Sequence, residues 1–150
     1  MYNAGENYEK NNWSKFNQLE KSNIQEAVNS SGGKARQVGK TFSITCFGKT
    51  CFDSLIKLDF ERDRSIHKIF DQDLSAEKII QDIELFSGIK VVPGKTLLFF
   101  DEIQECERAL LSLRYFYEEM PDLHVAAAGS MLEFALGQVS FPVGRVAFEW

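Results

Sequence analysis

From Lys34 onward, short apolar runs alternate with stretches whose apolar positions recur at helical spacing, so strands and helices take turns along the chain. Asp53 to Phe60 (DSLIKLDF) reads as a strand. Arg64 to Phe70 and Ala76 to Phe86 read as helical, with Ile79, Ile80, Ile83 and Phe86 on one face of the second. Pro93-Gly94 marks a turn. Thr96 to Phe100 (TLLFF) is too short for a free helix and lies between that turn and a pair of acids, which predicts a buried strand. A helix is predicted from about Glu105 to Met120, with Ala109, Leu110, Leu113, Phe116 and Tyr117 at helical spacing and Pro121 as its stop. Leu123 to Ala128 (LHVAAA) reads as a third buried strand, a short helix follows from near Ser130, and Arg145 to Trp150 reads as a strand. Repeated strand and helix units predict an α/β fold whose parallel sheet is covered by helices on both faces.

The opening third has a different character. All seven asparagines lie between Asn3 and Asn29, and only Phe16 of the 13 phenylalanines precedes Phe42. Phe16, Leu19, Ile24 and Val28 sketch at most one weak amphipathic helix, and Ser30-Ser31-Gly32-Gly33 reads as a flexible junction. The chain therefore divides into an Asn-rich segment, 1–33, and a domain-like section, 34–150.

Composition narrows the function classes. The 150 residues are 44% hydrophobic and 26% charged, with net charge −5, so nothing supplies the global positive field that bulk nucleic-acid binding requires. No leader pattern opens the chain, and no stretch approaches the roughly 18 apolar residues of a membrane span, which predicts a cytoplasmic protein with no membrane partner. Cys46, Cys51 and Cys106 form no C-x-x-C pair and read as reduced, partly buried thiols. His67 and His124 lack partners at metal-ligand spacing and read as structural histidines.

In an open parallel sheet the ligand site lies at the carboxyl ends of the strands. Gly-Lys-Thr occurs three times, at Gly39-Lys40-Thr41, Gly48-Lys49-Thr50 and Gly94-Lys95-Thr96, so context must choose between them. A phosphate loop needs free backbone N–H groups, a lysine for the phosphates, a hydroxyl for Mg²⁺ and a helix opening behind it. Lys95 runs straight into TLLFF and Lys49 falls inside a helix already begun, whereas Lys40 precedes a helix-length segment, Thr41 to about Thr50. The matching half is Leu97 to Glu102, a buried strand that delivers two carboxylates at its end. Successive strand residues point to opposite sides, which predicts Asp101 facing a metal shell and Glu102 facing an attacking water. The blander alternative makes Asp101-Glu102 a cap for the following helix.

The stretch Ala35-Arg36-Gln37-Val38-Gly39-Lys40-Thr41, the run LLFFDEIQE from Leu97, Ala128-Gly129-Ser130, and Phe141-Pro142-Val143-Gly144-Arg145 together resemble the AAA-type P-loop ATPases of bacteria and archaea. They look most like the group in which an N-terminal ATPase domain precedes an uncharacterised C-terminal domain. The resemblance covers Lys34 to Trp150 and implies a P-loop NTPase sheet flanked by helices, with ATP and Mg²⁺ as cofactors and Ala35 to Thr41 binding the nucleotide. It makes Lys40 the phosphate lysine, Thr41 the Mg²⁺ hydroxyl, Asp101 the Walker B aspartate and Glu102 the residue that activates water. Ser130 falls at the sensor position. Arg145 resembles an arginine that stabilises phosphoryl charge, supplied across a homo-oligomer interface, with a structural ion pair as its alternative. ATP rather than GTP follows from the resemblance, and no guanine-reading N-K-x-D pattern is present.

Two departures set a further expectation. Lys34 stands where the loop pattern has glycine, a substitution that costs about 1 kcal/mol where φ is positive. Gln25 to Gly33 stands where relatives have an apolar strand, and that strand would bury side chains worth roughly 1.5–3 kcal/mol each. The expectation is an incomplete AAA-type domain lacking its first strand and its C-terminal lid, whose first third arose from a shifted frame, a rearrangement or a wrong start. Two functions follow: a Mg²⁺-dependent ATPase, or a non-catalytic remnant acting as an interaction fragment.

Overall fold

The computed structural model describes residues 38–129. The Asn-rich segment, the expected absence of a first strand, the short helix near Ser130, the strand 145–150 and the lid all lie outside the described residues.

Helix α1 (Val38–Cys51) is rich in hydroxyl side chains that turn back on their own helix: Thr45 Oγ1 donates to the Thr41 carbonyl at 2.7 Å and Thr50 Oγ1 to the Cys46 carbonyl at 2.8 Å. Strand β1 (Ser54–Asp59) follows, then a 3₁₀ segment (Arg64–Phe70) capped by the Asp63 carboxylate, which accepts from the Ser65 N–H. Helix α2 (Ala76–Ser87) ends at Gly88, whose φ of 71° is the left-handed value that a β-carbon would resist. Strand β2 (Thr96–Asp101), a 3₁₀ turn (Ile103–Glu105), helix α3 (Glu107–Glu119) and strand β3 (His124–Ala128) complete the described fold.

The three strands are parallel in the order β1-β2-β3, with Asp59 paired to Asp101 and Asp101 to Ala128 at their carboxyl ends. β2 is central, and all six of its residues are buried. Alternation along the strands divides the sheet. Ile56, Leu58, Leu98 and Phe100 join the core with Ile79 and Ile83 of α2 and Ala109 and Phe116 of α3. Phe60, Phe70 and Phe116 pack around Phe100 with ring centroids 5.7, 5.8 and 6.0 Å away, at angles suited to edge contacts. The opposite face lies under α1, where Gly48 lets the helix backbone come down onto Leu55 and Leu97. Helices thus cover both faces of a parallel sheet, as the alternation of elements predicts.

The boundaries differ in instructive places. The helix expected from Glu105 starts at Glu107, because Ile103–Glu105 is a 3₁₀ turn and Cys106 is extended (φ −135°, ψ 97°). The helix expected from Thr41 already includes Val38. Phe86 and Tyr117, whose spacing groups them with the apolar positions of α2 and α3, are 47% and 38% exposed.

Candidate functional site

The site forms where the first turn of α1 meets the carboxyl end of β2. Thr41 Oγ1 donates to Asp101 Oδ1 at 3.0 Å, joining residues 60 positions apart. Asp101 is only 5% exposed, and burying a carboxylate without hydrogen bonds and a nearby positive charge is costly. The charge comes from Lys57, which sequence reasoning missed. Its Nζ lies 2.8 Å from Asp101 Oδ2, 3.9 Å from Asp59 Oδ2 and 5.7 Å from the centroid of the Phe99 ring. Register explains the meeting: Lys57 pairs with Phe99 on β2, and Asp59 with Asp101, so the four share one face. The available signal was a single lysine inside an apolar strand, which carries little information without the neighbouring strand.

Glu102 does not continue the strand's alternation. Its φ of 52° and ψ of 44° place it in the left-handed region, and it is the one non-glycine residue with positive φ among the described residues. Such a conformation costs about 1 kcal/mol or more and persists where the surroundings fix it. Here it swings the chain from the end of β2 into the 3₁₀ turn. Glu102 makes no side-chain cap on that turn; its Oε2 instead accepts from Gln104 Nε2 at 2.6 Å. With Asp101 held by Thr41 and Lys57, neither carboxylate serves as the helix cap of the blander reading. The other end of the Gln104 amide, Oε1, is buried with no hydrogen-bond partner among the described residues and lies against Gly129, where a β-carbon would collide with it. Gln104 therefore bridges the corner after β2 and the end of β3.

The three Gly-Lys-Thr tripeptides occupy different places. Gly39-Lys40-Thr41 lies in the first turn of α1, beside Asp101 through Thr41. Gly48-Lys49-Thr50 lies in the last turns of the same helix, with Lys49 and Thr50 exposed. Thr96 begins β2 at the end opposite Asp101, where its hydroxyl lies 2.8 Å from Ser54 Oγ and accepts from the Val92 N–H at 3.0 Å. Val38, Gly39 and Lys40 open α1. Ala35, Arg36, Gln37, Ser130 and Arg145 lie outside the described residues.

Thr41 and Asp101 present a hydroxyl and a carboxylate, the oxygen donors a hard cation takes. Among the described residues no three His, Cys, Asp or Glu side chains cluster as metal ligands. A donor pair of this kind fits Mg²⁺, which keeps several waters and draws further ligands from substrate phosphates. His67 Nε2 lies 2.9 Å from the Phe60 carbonyl oxygen, and His124 packs edge-on against Phe52. The three cysteines are free, and burial pushes the Cys106 thiol above its ordinary value. Among the described residues no helix is long and apolar enough to cross a membrane.

A family model described as an AAA domain matches residues 33–148, most of the chain. No curated protein and no solved structure matches it.

Proposed function

The chain belongs to the AAA domain family, and from that premise we propose that it binds ATP together with Mg²⁺ at the junction of α1 and β2 and hydrolyses it. The observation that carries this reading is the 3.0 Å bond from Thr41 to Asp101, because it joins a Gly-Lys-Thr helix start to an acid at the end of a buried central strand. Lys40, on the first turn of α1, neutralises phosphate charge, aided by the backbone N–H groups that open the helix. Thr41 and Asp101 hold the cation. When bound, Mg²⁺ offsets the charge that develops on the transferred phosphoryl group. Glu102, beside Asp101 but turned away from the strand, takes the proton of the attacking water. Ser130 orients that water or the terminal phosphate, and Arg145 adds positive charge, from the same chain or from a neighbour in a homo-oligomer.

Calorimetric titration with ATP and a steady-state phosphate-release assay test the reading. Lys40→Ala is expected to lose ATP binding. Glu102→Gln is expected to keep binding while turnover falls on the order of 10²-fold or more. Equal affinity in wild type and Lys40→Ala would overturn the proposal.

A further inference from the structure

Asp101 is held on both of its carboxylate oxygens. Thr41 supplies a hydrogen bond to one carboxylate oxygen, and the Lys57 ammonium sits 2.8 Å from the other. The Lys57 side chain is 34% exposed, while that of Asp101 is 7% exposed, so the lysine reaches the buried acid from the solvent side. A divalent cation on Asp101 would compete with this ammonium for the same negative charge, and the two cations would repel each other at close range. Lys57 has somewhere else to go. Asp59 Oδ2 is already 3.9 Å from its Nζ, on the same face of the sheet and directly opposite Asp101 in the strand register; Arg62, whose backbone N–H donates to Oδ1 and whose exposed Nε lies 3.8 Å from Oδ2, shares that carboxylate from the solvent side. A flexible four-carbon stem can cross that gap without any change in the backbone.

We propose that Lys57 is the resident counter-ion of Asp101, and that it moves to Asp59 when the divalent cation of a nucleotide binds. Lys57 thereby sets the Mg²⁺ concentration that the site requires. This inference rests on the proposed role of Asp101 in holding the cation. It assigns Lys57 as a positioning residue: before metal arrives it keeps the buried carboxylate in place, and afterwards it remains beside the site as a paired positive charge.

The test is calorimetric titration of the full chain with the β,γ-imido analogue of ATP at stepped Mg²⁺ concentrations, which reads binding rather than turnover. The half-saturating Mg²⁺ concentration is expected to fall about tenfold in Lys57→Met, because one charge-assisted contact no longer has to be surrendered. Lys57→Gln should show the same direction of change. It retains a hydrogen-bond donor for Asp101, which guards against a fold lost by stranding that acid. Asp59→Asn removes the second resting place and should raise the requirement. Lys95→Met, an exposed charge at the far end of β2, should leave it unchanged. An unchanged or higher requirement in both Lys57 variants overturns the inference while leaving nucleotide binding intact, as does an equal fall in Lys95→Met. If wild type and variants alike fail to bind the analogue, the nucleotide reading fails and this inference falls with it.

Discussion

At the scale of single residues, the least relaxed conformation in the described structure belongs to Glu102, whose carboxylate accepts from the Gln104 amide. The amide faces two ways, with Nε2 on the Glu102 carboxylate and Oε1 against Gly129. It can therefore be dislodged from either side. Gln104→Leu removes the donor, and Gly129→Ala fills the space the amide occupies. Both variants are expected to bind nucleotide as wild type does and to lose turnover on the order of 10–100-fold, the usual cost of removing a partner that orients a reacting group. Measured kcat and KM check this, and a rise in KM at constant kcat would contradict it. The placement of Asp101 at the end of a buried strand was legible from sequence, since an apolar run ending in acids is a local pattern, whereas the left-handed turn at Glu102 was not. Lys57 and Gln104 were not: one depends on strand register, and the other on the meeting of two strand ends.

Between elements, the decisive contact is α1 on the sheet. Gly48 sits where an added β-carbon would meet Leu55 Cδ1 at 2.7 Å and Leu97 Cδ2 at 3.0 Å. Glycine costs about 1 kcal/mol in a helix relative to alanine, so its presence in the last turns of α1 is offset by close packing. Gly48→Val must push the helix away or force both leucines from their rotamers, and is expected to destabilise the fold by about 1–3 kcal/mol. Chemical denaturation measures that loss. The same displacement should lengthen the Thr41–Asp101 contact and weaken nucleotide binding alongside stability. Sequence alone placed the middle and last strands within a residue of where they lie, because TLLFF and LHVAAA are apolar runs bounded by turn residues. It started α3 two residues early, at Glu105, because the end of a 3₁₀ turn and the start of an α-helix share apolar spacing over so few residues. The start of α1 was placed late for a related reason: the helix begins in the glycine-containing stretch that also reads as loop.

Over the whole molecule, the sheet separates its two tasks. One face, centred on Phe100 and its aromatic neighbours, supplies the core; the other carries Lys57, Asp59 and Asp101 beneath α1. Periodicity made the first face legible, whereas the second is defined by charges that become neighbours only when the strands align. Outside both lies a fastening between α2 and the segment entering β2. Glu84 accepts from Lys90 Nζ at 2.9 Å and from the Val91 N–H at 2.8 Å, and these bonds, led by Lys90, hold its carboxyl below the ordinary value of 4.5. A carboxyl lowered in the folded state binds protons more readily once unfolded. Its contribution to stability is therefore complete above the ordinary value and is lost as pH falls through the lowered one. The melting temperature should accordingly hold steady from neutral pH to about 5 and decline in more acidic buffer. Other carboxylates titrate in the same window, and the chain's net charge of −5 gives way to positive charge there, so the absolute decline does not isolate Glu84. The difference between variants does. Glu84→Gln should melt lower than wild type at neutral pH, decline less steeply in acid, and converge with wild type once Glu84 is protonated. Lys90→Met, which removes the leading cause of the lowered value, should also flatten the decline while sparing the bond to Val91. Parallel melting curves for wild type and Glu84→Gln across that range would show that this fastening does not couple the fold to pH.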